Sequence, residues 1–291
     1  MQEIMTALIT PFKEHDEIDF DALGYLVEEQ ISQGCDGLIV CGTTAEVPTL
    51  TRAEKVQILD FVIERAQHRV PIWYGCGSNC TRLAIENCLE VENRDIAGVL
   101  LVTPYYNRPT QQGLYEHFKK ISQCIHHSIM LYNIPSRTGC TLECDTLLRL
   151  LDECPNIVAL KHASKDLDLV KCVMKQYPEF RVYSGEDGYF VESFEAGAMG
   201  VVSVMSHMIL PQMKSFIEGG CQDEELGKML YECAEKTFCE ASPSPVKYML
   251  CRKGVCKNVL RLPMVPISYG KEFMLDAWMA ENDTFLQGGM V

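Results

Sequence analysis

The sequence predicts an α/β protein, a (β/α)8 TIM barrel followed by a C-terminal helical appendage. Eight short apolar runs of strand type alternate with longer segments whose apolar residues recur at helical spacing. This alternation is typical of a parallel sheet covered by helices, and eight repeats suit a closed barrel. A doubly wound sheet would more often stop at five or six strands and would need a glycine-rich dinucleotide loop after the first, where none is present.

The predicted elements follow one another along the whole chain. Thr51 and Glu54 form a capping box, a pairing typical of the first turn of a helix. The predicted strands are 4–10, 37–42, 71–77, 98–104, 129–135, 157–163, 181–185 and 200–205. The predicted helices are 21–33, 52–67, 81–93, 111–126, 143–152, 166–176, 188–196 and 210–218, with further helices at 223–240, 244–254 and 271–281.

The strand signal stops near residue 222, and only helical patterns follow it. We therefore expect a catalytic barrel domain over residues 1–222 and a C-terminal helical domain over residues 223–291. The order of the final segment, which ends in "FLQGGMV", is left open by the sequence.

The composition is that of a globular protein with a formal net charge of -14. This acidic balance argues against a nucleic-acid partner, which would require a basic face. No apolar stretch reaches the length of a membrane span and no signal peptide is recognisable, so we expect a cytoplasmic protein without a membrane partner.

Fifteen cysteines are scattered along the chain without a CxxC pair. Cys76 with Cys80, or Cys140 with Cys144, would allow a metal site, but neither has a second close pair or clustered histidines. We expect no metal, and buried free thiols in a reducing compartment.

Lys161 closes an apolar run, "NIVALKHAS", that is typical of a buried strand. An ammonium group moved out of water must be paired or lose its proton. A lone lysine at a strand end most often reaches back to solvent, which is the structural alternative. No carboxylate is apparent beside Lys161 to hold it charged, and a desolvated amine is the nucleophile that forms an imine with a ketone.

In such a barrel the catalytic groups lie at the carboxyl ends of the strands. The polar residues at these ends, which are far apart in the sequence, are therefore predicted to share one mouth with Lys161. They are Thr43, Thr44, Tyr105, Tyr106, Tyr132, Arg137 and Gly185.

Each of these residues has a structural and a functional interpretation. Tyr132 is either a core aromatic or a proton relay beside Lys161. Thr43 and Thr44 are either turn formers or ligands of a carboxylate, and Gly42 would allow close approach there. Arg137 is either a surface cation or a bidentate ligand of a second carboxylate.

The motifs at these positions resemble those of the dihydrodipicolinate synthase family, within the pyruvate-dependent N-acetylneuraminate lyase superfamily. The resemblance spans essentially the whole chain, in the right order. It is carried by "ALITPF", "GTTAE", "VTPYYNRPTQQGLYEHF", "YNIPSRTG", "ALKHAS", "YSGEDG", "GVVSV", "PSPVKYML" and "LRLPMVPIS".

The resemblance implies a reaction in the lysine and diaminopimelate pathway. Pyruvate would form a Schiff base with Lys161, and the derived enamine would add to L-aspartate 4-semialdehyde, giving 4-hydroxy-tetrahydrodipicolinate. No organic cofactor is implied, because the imine is itself the electron sink.

The resemblance also assigns roles to site residues. Thr43, Tyr132 and Tyr106 match the proton-relay triad, and Thr44 joins Thr43 in holding the pyruvate carboxylate. Arg137 matches the arginine that receives the carboxylate of the semialdehyde, while Gly185 and Val202 match positions lining the Schiff-base pocket. In this family Tyr106 reaches into a neighbouring subunit, which implies a homotetramer built from tight dimers.

Two alternatives remain open. The first is a retro-aldol lyase acting on a keto sugar acid, against which Arg137 and the "GTTAE" motif argue, because the sialic acid lyases lack that arginine and usually read GST. The second is a non-catalytic keto-acid sensor, which only the change of a family glycine to Ala45 favours.

Two substitutions depart from the family pattern near the expected chemistry. Ala45 replaces a glycine and would be strained if its backbone were left-handed. His162 replaces an acidic residue after Lys161, and strand alternation predicts that it points away from the pocket.

A third departure concerns regulation by lysine. Tyr105 and Asn79 match the effector site of lysine-inhibited members, but other positions differ. Arg52 and Lys55 would repel the ammonium group of lysine, and Leu83 lacks a counter-charge, so we expect weak lysine feedback. Val47 and Pro48 differ as well.

Overall fold

Eight parallel strands form one closed barrel in a computed structural model, in which residues 2–288 are described. The strand order around the barrel is the order along the chain, so the predicted (β/α)8 class is confirmed. The strands are β1 (Glu3–Ala7), β2 (Gly37–Val40), β3 (Ile72–Gly75), β4 (Gly98–Val102), β5 (Ile129–Asn133), β6 (Ile157–His162), β7 (Arg181–Ser184) and β8 (Gly200–Ser203).

Helices follow the strands as the periodicity predicts, and the appendage after residue 222 is helical. Two short helices, one after β5 and one at the end of the described chain, were not predicted. The helices are α1 (Phe20–Ser32), α2 (Arg52–Ala66), α3 (Thr81–Glu90), α4 (Gln111–Ser122), α5 (Pro135–Thr138), α6 (Cys144–Glu153), α7 (Asp168–Gln176), α8 (Phe190–Glu195), α9 (Ser206–Glu218), α10 (Glu224–Thr237), α11 (Ser244–Arg252), α12 (Tyr269–Glu281) and α13 (Asp283–Leu286).

The predicted capping box at the start of α2 is present. The Thr51 hydroxyl accepts a hydrogen bond from the Glu54 backbone N–H at 3.2 Å, and the Glu54 carboxylate accepts one from the Thr51 N–H at 2.8 Å. These two bonds satisfy backbone donors that the helix itself leaves without partners.

The chain divides into two compact units, which cut across the predicted domain boundary. One comprises Met1–Val70 and Ser203–Val291, so the helices after residue 222 share a unit with β1, β2, α1 and α2. The other comprises Pro71–Val202. The division into 1–222 and 223–291 stays a proposal, and residues 289–291 of the final segment lie outside the described residues.

The cysteine prediction is partly wrong. Cys144 at the start of α6 and Cys172 in α7 form a disulfide, because the two packed helices bring their Cα atoms to 6.3 Å. The other thirteen thiols are free, and seven of them are only partly buried. Within residues 2–288, no group of three or more histidine, cysteine or acidic side chains is placed to hold a metal ion. In the same range, no helix is both long and apolar enough to traverse a lipid bilayer.

Close packing of strands β3, β4 and β5 requires glycine at position 98. A Cβ atom there would lie 2.4 Å from the Ser128 carbonyl oxygen and 2.6 Å from the Trp73 ring. That same carbonyl accepts the hydrogen bond from the Val99 N–H at 2.8 Å, so it cannot move without loss of strand pairing.

We expect Gly98→Ala to lower the free energy of unfolding by about 1–3 kcal/mol, the usual cost of overpacking. The matched control is Gly270→Ala, because a Cβ on Gly270 would meet no atom within 4 Å. The control should leave stability unchanged or raise it by up to about 1 kcal/mol, as alanine does in helices. Urea denaturation of both variants measures the difference, and equal stabilities would contradict this account of the β3–β5 packing.

Candidate active site

Lys161 lies near the carboxyl end of β6, and its side chain is only 6% exposed. Its strand partner on β5 is Tyr132, and its partner on β7 is Tyr183. The ammonium nitrogen of Lys161 stands over the Tyr132 ring, 4.5 Å from the ring centroid. The structure therefore places the predicted nucleophile and one predicted proton-relay residue side by side, and both are buried.

Burial lowers the pKa of Lys161 to about 8, because the charged amine has lost most of its hydration. The carboxylates of Asp187 and Glu186 partly oppose this lowering and the Arg137 guanidinium adds to it, and the pKa of about 8 includes all of these effects. With a pKa near 8, about a tenth of the amine is neutral at pH 7, compared with about 1 in 3,000 for an ordinary lysine. Lys161 thus combines burial with a usable supply of the nucleophilic form.

Two carboxylates near Lys161 were not predicted, because no counter-charge was expected beside this lysine from the sequence. Asp187 and Glu186 directly follow Gly185 at the end of β7, and both interact electrostatically with Lys161. The pKa of Glu186 is itself raised, first by burial and then by the adjacent Asp187. The signal that would have found them is the "GEDG" segment, since it follows a strand next to the lysine strand.

Gly185 is required by the packing around the lysine. A Cβ atom at this position would lie 2.8 Å from the Ala163 Cβ and 2.9 Å from Cε of Lys161. Any larger residue would push the nucleophile or its strand aside. The predicted role of Gly185 as a lining position stays a proposal, but its closeness to Lys161 is a direct observation.

Arg137 lies in the short helix α5 that follows β5, and its side chain is exposed. Its charge acts on both Lys161 and Glu186. Val202 lies in β8 and is fully buried.

Tyr106 does not join the buried group around Lys161. Its side chain is 90% exposed, and its backbone is left-handed with a φ of 72°. The turn is held by Asn79, whose side-chain amide donates to the Tyr105 carbonyl at 3.2 Å and whose own carbonyl accepts from Asn107 at 2.8 Å. A left-handed backbone thus presents an aromatic ring to the surface of the chain.

His162 points to the opposite face of β6 from Lys161, as strand alternation predicts. One ring nitrogen lies 3.3 Å from the Asn133 amide, and the other lies 2.6 Å from the Asp166 carbonyl oxygen. Burial lowers the pKa of His162, so the ring stays neutral at pH 7 and has a structural role.

Thr43 and Thr44 lie in a short 3-10 helix, Thr43–Ala45, that follows β2 in the other compact unit. Thr44 is buried and Thr43 is half-buried. The left-handed residues of this turn are Cys41 and Glu46, with φ values of 54° and 55°, and Ala45 is helical. The concern that Ala45 strains the turn is therefore removed, because the special backbone angle falls on its neighbour.

Comparison with known proteins places nearly the whole chain in one family. Residues 1–280 match the sequence model of the dihydrodipicolinate synthetase family. The 4-hydroxy-tetrahydrodipicolinate synthase of Acidobacterium capsulatum is 41% identical over 283 residues, which cover 95% of this chain and 94% of that protein.

Solved structures agree with the sequence comparison. The dihydrodipicolinate synthase of Aquifex aeolicus is 36% identical with a TM-score of 0.92, over 98% of this chain and 99% of that one. The chloride-inhibited dihydrodipicolinate synthase of Acinetobacter baumannii, solved with pyruvate, is 35% identical with a TM-score of 0.91, over 97% of this chain and 99% of that one. The family resemblance carried by the motifs is confirmed: the chain belongs to the dihydrodipicolinate synthetase family.

Proposed function

We propose that the chain is an imine-forming synthase that condenses pyruvate with L-aspartate 4-semialdehyde to give 4-hydroxy-tetrahydrodipicolinate. The observation that carries the proposal is Lys161, a buried lysine whose pKa is lowered to about 8 and whose amine stands over Tyr132. Membership of the family supports the choice of reaction, and the pyruvate complex of the Acinetobacter baumannii relative supports the choice of keto acid.

The reaction begins when the neutral amine of Lys161 attacks the ketone carbon of pyruvate. Loss of water leaves a protonated imine, which withdraws electrons from the methyl carbon. Removal of a methyl proton then gives an enamine, whose carbon attacks the aldehyde carbon of the semialdehyde. The amino group of the added substrate attacks the imine carbon, closes the ring and releases Lys161.

Protons must move at every one of these steps. Tyr132 is in contact with Lys161 and is the proposed first carrier, with Thr43 and Tyr106 as the further members of the relay that the family resemblance assigns. Thr43 and Thr44 are proposed to hold the pyruvate carboxylate. Gly185 and Val202 are proposed to line the pocket of the imine, and no cofactor or metal is proposed, because the imine supplies the electron sink.

Arg137 is proposed to receive the carboxylate of the semialdehyde. It is an exposed guanidinium that follows the strand of Tyr132 and acts electrostatically on Lys161, so it lies within reach of a substrate bound there. This residue favours a small dicarboxylate product over a keto sugar acid.

Assembly is part of the proposal. The ring of Tyr106 is presented outward by a left-handed backbone, as a residue that serves a neighbouring subunit would be. A homotetramer built from tight dimers is the assembly that the resemblance implies, and a cytoplasmic location is proposed with it.

The first test is trapping of the imine. Pyruvate with borohydride should add one reduced pyruvyl group, which peptide mass spectrometry should place on Lys161. Lys161→Ala should remain unlabelled. Lys165→Ala, a change at an exposed lysine four residues further on, should label like the wild type. Label on another lysine, or none in the wild type, would refute the proposed chemistry.

The second test is the pH dependence of the trapping rate. Because the folded-state pKa of Lys161 lies below its ordinary value of 10.5, the neutral amine is available near pH 8. The rate should rise about tenfold per pH unit up to pH 8 and then level off. Glu186→Gln removes a carboxylate that stabilises the ammonium form, so the midpoint should move to lower pH.

Glu192→Gln, a change at an exposed glutamate, is the control and should leave the midpoint unchanged. A wild-type midpoint near 10, or a rise of the midpoint in Glu186→Gln, would contradict this account of the lysine.

The third test separates the proposed synthase from the keto sugar acid lyase and from the sensor. The wild type should turn over aspartate semialdehyde with pyruvate and should not cleave sialic or ketogluconate-type acids. Arg137→Gln should lower kcat/KM for the semialdehyde about 10- to 100-fold, the cost of one charged hydrogen-bond pair, and leave pyruvate trapping intact. Arg149→Gln, at another exposed arginine, should match the wild type.

A further inference from the structure

The turn that carries Thr43 and Thr44 is fixed by a buried ion pair between residues 201 positions apart in the sequence. Glu46 closes the turn, and its backbone N–H donates to the Thr43 carbonyl at 3.1 Å. One oxygen of its carboxylate is bonded to the Lys247 ammonium, and the other accepts from the Arg261 backbone N–H at 3.0 Å. Neither Glu46 nor Lys247 has any exposed side-chain surface.

Lys247 is held from several sides within the same compact unit. It lies in α11, donates to the Val259 carbonyl at 2.9 Å, and stands 4.2 Å above the centroid of the buried Phe12 ring. The Arg261 guanidinium lies 4.5 Å from the centroid of that ring and is paired with Glu54 at the start of α2. Residues of the C-terminal segment thus bind the base of the loop after β2.

A second contact to the turn comes from the segment that follows β1. The hydroxyl of Thr10, which is buried, donates to the Ala45 carbonyl at 2.9 Å. The residue between the threonines and Glu46 is therefore held as well. The Ala45 carbonyl and the Glu46 carboxylate are thus each bonded to residues outside the turn.

A buried ion pair often adds little to the free energy of unfolding, because desolvation of the two charges offsets their attraction. Removing both charges is often neutral, whereas removing one partner leaves an unpaired charge and is costly. Its geometric effect is different, because a short charge-assisted bond fixes a left-handed residue that would otherwise relax. The pair is thus better suited to holding a backbone in one place than to raising the stability of the fold.

We propose that Glu46 and Lys247, with Thr10, are positioning residues that hold the Thr43–Thr44 turn in the geometry that binds the pyruvate carboxylate. They touch no substrate and act through the threonines. The inference rests on the proposed function, because it uses the role assigned there to Thr43 and Thr44. The helix that carries Lys247 belongs to the same compact unit as the Thr43–Thr44 turn.

The test compares two double variants, each of which replaces both charged residues of an ion pair by uncharged ones. The measured quantity is the pyruvate concentration that gives half-maximal borohydride labelling of Lys161. Glu46→Gln with Lys247→Met removes the ion pair and keeps side-chain size. Asp36→Asn with Lys214→Met is the matched control, because that pair links α9 to the residue before β2, at the other end of the strand.

Loss of the Glu46–Lys247 pair should raise the half-saturating pyruvate concentration about tenfold or more, since small displacements of binding groups are costly. KM for the semialdehyde at saturating pyruvate should stay the same. The control variant should bind pyruvate as the wild type does, even if its melting temperature falls. The proposal would be overturned if the double variant Glu46→Gln, Lys247→Met folds and binds pyruvate as the wild type does. It would also be overturned if the half-saturating pyruvate concentration rises equally in the control variant.

Thr10→Val provides an independent test of the proposal if the double variant does not fold. It removes the hydroxyl that holds the Ala45 carbonyl and conserves volume, and it should raise the half-saturating pyruvate concentration about threefold or more. Thr10→Ser keeps the hydroxyl and should restore wild-type binding. Equal binding by Thr10→Val and wild type would refute the positioning role. Every experiment includes labelling of Lys161 in the wild type as its reference. If the wild type is not labelled, the proposed chemistry has failed, whereas a failure of the positioning role appears only in the variants.

Discussion

Removal of water from the amine of Lys161 is the interaction on which the site depends. The barrel closes around the end of β6 and leaves the side chain 6% exposed, so its charged form is penalised. The penalty is only partly offset, because Asp187 and Glu186 act on the ammonium at a distance and Arg137 opposes them. The amine is therefore neither permanently protonated nor fully neutral near pH 7. In this state it can form a reversible bond to a carbonyl carbon.

Lys247 shows that burial alone does not produce such an amine. It is more deeply buried than Lys161, and burial lowers its pKa too, but the bonded carboxylate of Glu46 opposes this. Lys247 is bonded directly to an anionic partner, whereas Lys161, the proposed nucleophile, is influenced by Asp187 and Glu186 through their charge. The same residue type therefore occupies two different electrostatic environments, set by the groups around its nitrogen.

Much of this organisation could be predicted from the sequence, because it is periodic or local. All eight strands and the main helices follow from apolar spacing, and the capping box at Thr51 follows from two residues three positions apart. Lys161 and Tyr132 stand out because each ends a buried strand. What could not be predicted depends on contacts between distant segments. The Glu46–Lys247 and Cys144–Cys172 pairs join segments in this way and have no local sequence signature. Asp187 and Glu186 are different, because the "GEDG" segment and the pairing of β7 with β6 in the predicted barrel order do place them near Lys161.

The disulfide has a topological consequence for the lysine strand. Cys144 lies before β6 and Cys172 after it, so the bond closes a covalent ring, 28 residues in separation, that encloses the whole strand with Lys161. Such a ring restricts the unfolded chain, and for this length the chain-entropy view assigns it roughly 3–4 kcal/mol. The strand that carries Lys161 is thereby tethered on both sides to one disulfide, which limits how far its two flanking helices can separate at that point.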